Sequence, residues 1–147
     1  MIGETLYFED VKHGDELPQF EELMTTVEMA RYGAATWDFS RVHFDKEFVD
    51  NIGFPKPFVD GQMLGSYMAR LAGEWAGDPC SIRKMNVRYT QMLFPGDTIV
   101  CTGKVERTYT EDERNLAECE LTIEKKSDRS TAAFGRVIVE LPTRSQV

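Results

Sequence analysis

Histidine is scarce in this chain: two residues, His13 and His43, in a length of 147. A metal centre built on several imidazoles is therefore not expected. Cysteine is scarce too. Cys80, Cys101 and Cys119 form no metal-like spacing and no even set, which argues against both a zinc site and a disulfide framework. Their neighbours suggest strand or loop positions, so they read as free thiols in a reducing cytoplasm. No apolar run is long enough to span a bilayer. The opening MIGETLYFED lacks the basic and apolar regions of a signal peptide. A cytoplasmic location and no membrane partner are the expectations. Positive charge is in deficit as well, with 17 Lys and Arg against 25 Asp and Glu, a net charge of -8. That speaks against nucleic acid as a partner. An anionic ligand still fits where basic residues gather, and Arg83, Lys84 and Arg88 form such a cluster. What is present in quantity is core material. At 41% hydrophobic and 11% aromatic the chain can bury a real core, and its length suggests one domain over residues 1–147.

Local signals give an element order. Thr5 to Phe8 suggests a short strand. Lys12 to Glu16 reads as a turn containing His13, and Pro18 limits regular structure after it. Thr25 or Thr26 can cap a helix running to about Trp37. Asp45 can cap a second, short helix ending near Asn51, with Gly53 as terminator. From Gly61 to Gly77, Met63, Leu64, Tyr67, Met68, Leu71, Ala72 and Trp75 fall on one wide helical face. That helix is too broadly apolar to lie on a surface. Gly65 and Gly73 within it suggest close packing against another backbone. Alternating segments follow: Arg83 to Gln91, Ile99 to Val105, Ala117 to Ile123, and a mixed strand from Thr131 to Leu141. Phe94 to Asp97 and Lys125 to Asp128 are turns, and Thr110 to Asn115 is a polar connection. Pro142 to Val147 looks frayed. One buried helix followed by four antiparallel strands is an α+β arrangement. With an N-terminal strand it makes a curled sheet of about five strands around one central helix.

The stretch from Tyr32 to Leu64 carries the chemistry. Asp38 and His43 can hold one water between a carboxylate and an imidazole and manage its protons. Gly61 starts the long helix, where an unpaired N–H and the positive dipole end can receive developing negative charge. Taken singly, each residue has a plainer reading. Asp38 can end a helix, His43 can be a satisfied buried histidine, and Gly61 can be an ordinary helix start.

Their joint pattern is more specific. Asp38-Phe39-Ser40-Arg41-Val42-His43-Phe44-Asp45, then Gly53-Phe54, then Gly61-Gln62-Met63-Leu64, resembles the signature of MaoC-like (R)-specific enoyl-CoA hydratases. That signature is roughly D-x-N-P-x-H-x-D, G-F and A-H-G-M. Ser40, Arg41 and Asp60 depart from it. The D-F-x-x-V-H-x-D form is similar to a subset acting on steroid-derived acyl-CoAs.

The resemblance implies a hotdog fold and hydration of a trans-2-enoyl-CoA, or the reverse dehydration. Asp38 and His43 would activate water, and the Gly61 N–H would hold the thioester oxygen. Coenzyme A would enter as part of the substrate, with no cofactor and no metal. Around the site, Ser40 can orient Asp38. Trp37, Phe58 and Val59 can line an acyl pocket, with core packing as the plainer role. Arg41, Arg83, Lys84 and Arg88 can meet phosphates. Asp60 either points away or caps the helix. Hotdog chains of this kind pair, so a homodimer or higher oligomer, or a heteromer with a related chain, is expected. An acyl-CoA thioesterase and a non-catalytic acyl-CoA-binding subunit are the competing readings.

Overall fold

A computed structural model describes residues 5–146. Three helices precede four of the five strands. The first strand, β1 (Glu16–Leu23), is followed by α1 (Thr26–Thr36), α2 (Lys46–Asn51) and α3 (Gly61–Ala76). Then come β2 (Ser81–Tyr89), β3 (Thr98–Glu111), β4 (Arg114–Lys125) and β5 (Thr131–Glu140). The strands form one antiparallel sheet in the order β1-β3-β4-β5-β2.

Side-chain caps set the helix starts. The Thr25 hydroxyl accepts the Glu28 N–H at 3.1 Å, and Asp45 accepts the Phe48 N–H at 3.0 Å. Asp60 caps α3 by accepting the Gln62 N–H at 2.8 Å. The α3 helix packs against all five strands. Met63, Leu64, Met68, Leu71 and Ala72 are buried on it. Ile99, Cys101, Val105, Cys119, Leu121, Val137 and Val139 are buried on the sheet opposite. Fully burying a side chain such as Met68 or Leu71 contributes about 1.5–3 kcal/mol. The three cysteines are free, Cys101 and Cys119 in the core and Cys80 half-buried.

Several expectations need correction. Thr5 to Phe8 is not a strand; Phe8–Asp10 is a 3-10 turn. The N-terminal strand is β1, which contains Pro18. Proline is tolerated because β1 is an edge strand and its register shifts between Leu17 and Phe20. The polar connection is shorter than expected: Thr110 pairs with Asn115 and Glu111 with Arg114. Asp112 and Glu113 alone make the turn, both at positive φ (49° and 63°), as a two-residue hairpin matching the sheet twist requires. The tail is held rather than frayed up to Gln146, and Val147 lies outside the described residues. The Phe8 N–H donates to the Pro142 carbonyl at 2.9 Å, and Arg144 meets Asp10 at 2.7 Å. Gly65 admits the Tyr89 hydroxyl, which a Cβ there would meet at 2.8 Å, so the close neighbour is a side chain. Gly73 has nothing within 4 Å.

The edge strand β2 is exposed along most of its length. Ile82, Met85 and Tyr89 on it, and Phe134 on the adjoining β5, are large apolar side chains facing solvent. That is an open sheet edge with an apolar surface beside it.

Candidate active site

Asp38 is placed by the end of α1. Trp37 takes a left-handed conformation (φ 59°, ψ 31°), and the N–H groups of Trp37 and Asp38 both donate to the Gly33 carbonyl. This is how a helix terminates its last turn. A Cβ on residue 33 would stand 2.9 Å from the Asp38 carbonyl oxygen, so the turn requires glycine there. The Asp38 carboxylate then accepts the Ser40 N–H at 3.0 Å, and the Ser40 carbonyl accepts the His43 N–H at 3.1 Å. Ser40 thus orients Asp38, but through its backbone rather than its hydroxyl. Arg41 stacks on Phe48 and pairs with Asp45 at 2.8 Å. The Phe48 N–H and Arg41 hold the Asp45 carboxyl below the usual carboxylate range.

His43 comes next on the same loop. Its Nδ1 lies 2.8 Å from the Phe58 carbonyl oxygen. A carbonyl can only accept, so Nδ1 carries the hydrogen and Nε2 is left free as an acceptor in the neutral ring. The carbonyl is itself anchored. The Phe58 N–H donates to Val42 at 3.2 Å, and the Val59 N–H to Leu93 at 2.8 Å. The Phe58 ring meets the imidazole edge-on at 5.6 Å between centroids.

Asp60 does not point away. It caps α3 and also faces the site: one polar atom each from Asp38, His43 and Asp60 lie within 4.8 Å of one another. Among the described residues these three come nearest to a cation-ligand set. Two ionised carboxylates at that range repel each other.

These groups open on a cavity of about 360 Å³. Met29, Ala30, Gly33, Ala34, Phe39, Phe44 and Pro57 supply most of its wall, with Thr26 and Tyr32 adding polar atoms, and no lysine or arginine lines it. Burial, then the charges of Asp60 and Asp38 together with Tyr89, push the Tyr32 phenol up from its ordinary value. It is a neutral O–H at any physiological pH.

The remaining expected residues fall around this cavity. Gly61 lines a second one of about 290 Å³, with Phe58, Val59, Leu64 and Tyr89 to Leu93. The Tyr89 ring lies across Gly61, 3.5 Å from where a Cβ would sit. Phe58 and Val59 therefore do line a pocket, though not the one holding Asp38, and Val59 is also core. Trp37 lines neither: it is 81% exposed and packs edge-on against Phe39. Its left-handed backbone turns it outward. Arg83 is paired with Glu140. Lys84 and Arg88 alternate with Val87 and Tyr89, which approach α3, so they face away from the helix. Tyr32, Phe39, Phe44 and Tyr89 are wall residues not expected from sequence. Tyr32 and Tyr89 carried only the apolar periodicity of a helix and a strand.

An antiparallel sheet of five strands curled round one helix, with the polar site at that helix's N-terminus, is a hotdog fold. Residues 8–127 match the family described as the MaoC-like domain, and the chain belongs to that family. It is similar to the (R)-specific enoyl-CoA hydratase of Aeromonas caviae, 28% identical over 116 residues, covering 78% of this chain and 84% of that one. It is also similar to the peroxisomal hydratase-dehydrogenase-epimerase of Saccharomyces cerevisiae, 31% identical over 91 residues and 61% of this chain. That match spans only 10% of the yeast protein's length. Among solved structures, the (R)-hydratase from A. caviae involved in PHA biosynthesis superposes with a TM-score of 0.80 at 21% identity. The superposition covers 91% of this chain and 99% of that one. The ChsH1-ChsH2 complex from Mycobacterium tuberculosis gives 0.78 at 19% identity, covering 88% and 98%.

Proposed function

We propose that the chain hydrates a trans-2-enoyl-CoA to a 3-hydroxyacyl-CoA, or catalyses the reverse dehydration. One observation carries this reading. An imidazole with Nε2 free to accept and a carboxylate stand within 4.8 Å at the wall of an apolar cavity. In the hydration direction a water held between Asp38 and His43 attacks Cβ. One of its protons passes to this pair as the C–O bond forms. The C=C electrons shift toward the thioester, giving an enolate, and Cα then takes a proton from the pair. The product gains one hydroxyl and one hydrogen, and the pair ends as it began. The Gly61 N–H, in the first turn of α3 and without an intrahelical partner, is the donor for the enolate oxygen. The thioester then sits where the Asp60–Gly61 junction separates the two cavities.

The apolar cavity takes the acyl group. Its volume lies within the range of sites that enclose drug-sized ligands, which favours acyl groups larger than crotonyl. The chemistry requires no cofactor or metal, since coenzyme A arrives with the substrate. Of the four basic residues expected to meet its phosphates, Lys84 and Arg88 have no ion pair among the described residues, whereas Arg41 and Arg83 already have carboxylate partners. The exposed edge of β2 is where a second hotdog chain, identical or related, continues the sheet. Among the described residues no helix is long and apolar enough to cross a membrane.

The test follows the loss of enone absorbance with crotonyl-CoA and with a bulkier enoyl-CoA. Asp38→Asn and His43→Gln should each lower turnover by about 10²-fold or more. The double variant should do little further harm, because groups acting on one water are strongly non-additive. Near-wild-type hydration by Asp38→Asn would sink the mechanism.

A further inference from the structure

We propose that Tyr32 is a positioning residue for this reaction, its phenol O–H donating to the water that Asp38 and His43 hold. The inference rests on the hydratase reading above and adds a residue to it. Tyr32 sits on α1, and its side chain lines the same cavity as Asp38, His43 and Asp60. Its hydroxyl has no direct hydrogen-bond partner among the described residues, yet it is close enough to Asp60 and Asp38 for their charges to act on it. A neutral phenol in that position reaches the carboxylates through solvent rather than by direct contact.

The hydrogen-bond count at the water supports the assignment. A water has two hydrogens and two lone pairs. The hydrogens go to the Asp38 carboxylate and to Nε2 of His43, the ring position left as acceptor by the Nδ1 bond to Phe58. One lone pair must stay free to attack Cβ. The other is open to a donor, which would add a third point of attachment and hold the water in place. Asp38, Asp60 and neutral Nε2 are all acceptors. The cavity wall has no lysine or arginine. Besides Tyr32 the wall offers only the Thr26 hydroxyl; the nearby Tyr89 phenol lies against Gly65 in the second cavity. Tyr32 is the donor that Asp38 and Asp60 both act upon.

The other groups facing this point are Asp38 and His43 on the loop after α1, Asp60 on α3 and Tyr89 on β2.

The experiment compares wild type with Tyr32→Phe on one enoyl-CoA, recording kcat and KM across pH 5 to 9 together with the melting temperature. We expect kcat to fall about tenfold and KM to stay within about twofold. A purely packing role would change the melting temperature or KM instead. Should Tyr32→Phe fold poorly, site-specific 4-aminophenylalanine at position 32 keeps the shape and a neutral donor, and it should retain kcat. Unchanged kcat in a folded Tyr32→Phe, or a tenfold loss of kcat in the folded 4-aminophenylalanine variant, overturns the inference alone. A wild type that hydrates no enoyl-CoA overturns the hydratase reading and this inference with it.

Discussion

Replacing Gly33 by alanine separates two physical arguments that predict opposite results. By helix propensity alone, alanine near the C-terminal end of α1 should stabilise the chain by up to about 1 kcal/mol. The structure says otherwise. The added Cβ would stand 2.9 Å from the Asp38 carbonyl oxygen, about half an ångström closer than ordinary contact allows. The clash is with backbone, so no rotamer change relieves it. The turn that ends α1 must open, and Asp38 lies in that turn. Overpacking of this sort costs about 1–3 kcal/mol, which cancels or exceeds the propensity gain. A misplacement of 1 Å in a catalytic group can cost 10²-fold in rate, so half that displacement should cost about tenfold.

The control is Gly73→Ala. Gly73 lies inside α3 with nothing within 4 Å of its would-be Cβ. Propensity then acts unopposed, and the variant should gain about 1 kcal/mol with turnover unchanged. Urea unfolding and enone-absorbance assays on the two variants read both quantities. If Gly33→Ala proves as stabilising as Gly73→Ala and equally active, glycine is not what positions Asp38.

Two further predictions concern the core and the sheet edge. Burial pushes the Cys101 and Cys119 thiols up to about 12, so the folded chain keeps protons that the unfolded chain releases above about pH 9. This stability is whole below pH 9 and declines as pH rises toward 12, by up to about 1.4 kcal/mol per pH unit for each thiol; urea midpoints that stay flat from pH 8 to 10.5 would contradict it. At the β2 edge, Met85→Lys places a charge on the exposed apolar strand and should convert a dimer or larger assembly into monomers by sedimentation, whereas wild type sedimenting as an active monomer would remove the proposed role of that edge.

Much of the fold was legible because the helix caps are side chains with one obvious job. Thr25, Asp45 and Asp60 each accept an N–H two or three residues on, as their spacing suggested. The broad apolar face of α3 likewise implied something wrapped around it. The first strand was not legible, because Pro18 argues against a strand unless its place at an edge is known. The Asp112-Glu113 hairpin was hidden for a related reason. Neither residue is glycine or asparagine, so nothing local announces two positive φ angles. Within the site, Asp38 and His43 share one loop and their spacing could be read. Tyr32 and Tyr89 reach it from a helix and a distant strand. Their apolar periodicity gave them a core reading, and only the fold brings Tyr32 to the cavity of Asp60 and lays the Tyr89 ring across Gly61.

Asp60 shows why a departure from a signature has to be judged in three dimensions. As a cap alone it would be neutral for chemistry, since a carboxylate at a helix start is favoured by the N–H groups and by the dipole. The structure gives it a second place, facing Asp38 and His43 while still bonded to Gln62. Its negative charge then lies beside the Gly61 N–H, where hydration would build negative charge on the thioester oxygen. Taken alone that opposes the transition state. It is tolerable only if nearby donors offset it, and the cavity wall supplies these as neutral hydroxyls rather than cations. A lysine or arginine would pair with Asp60 or Asp38 directly and compete for the carboxylate that must accept from water. A phenol held neutral by its surroundings supplies a hydrogen bond without adding charge. On the proposed mechanism, acid–base work at Asp38 and tolerance of Asp60 therefore place the same demand on the wall of α1, and Tyr32 is the residue proposed to meet it.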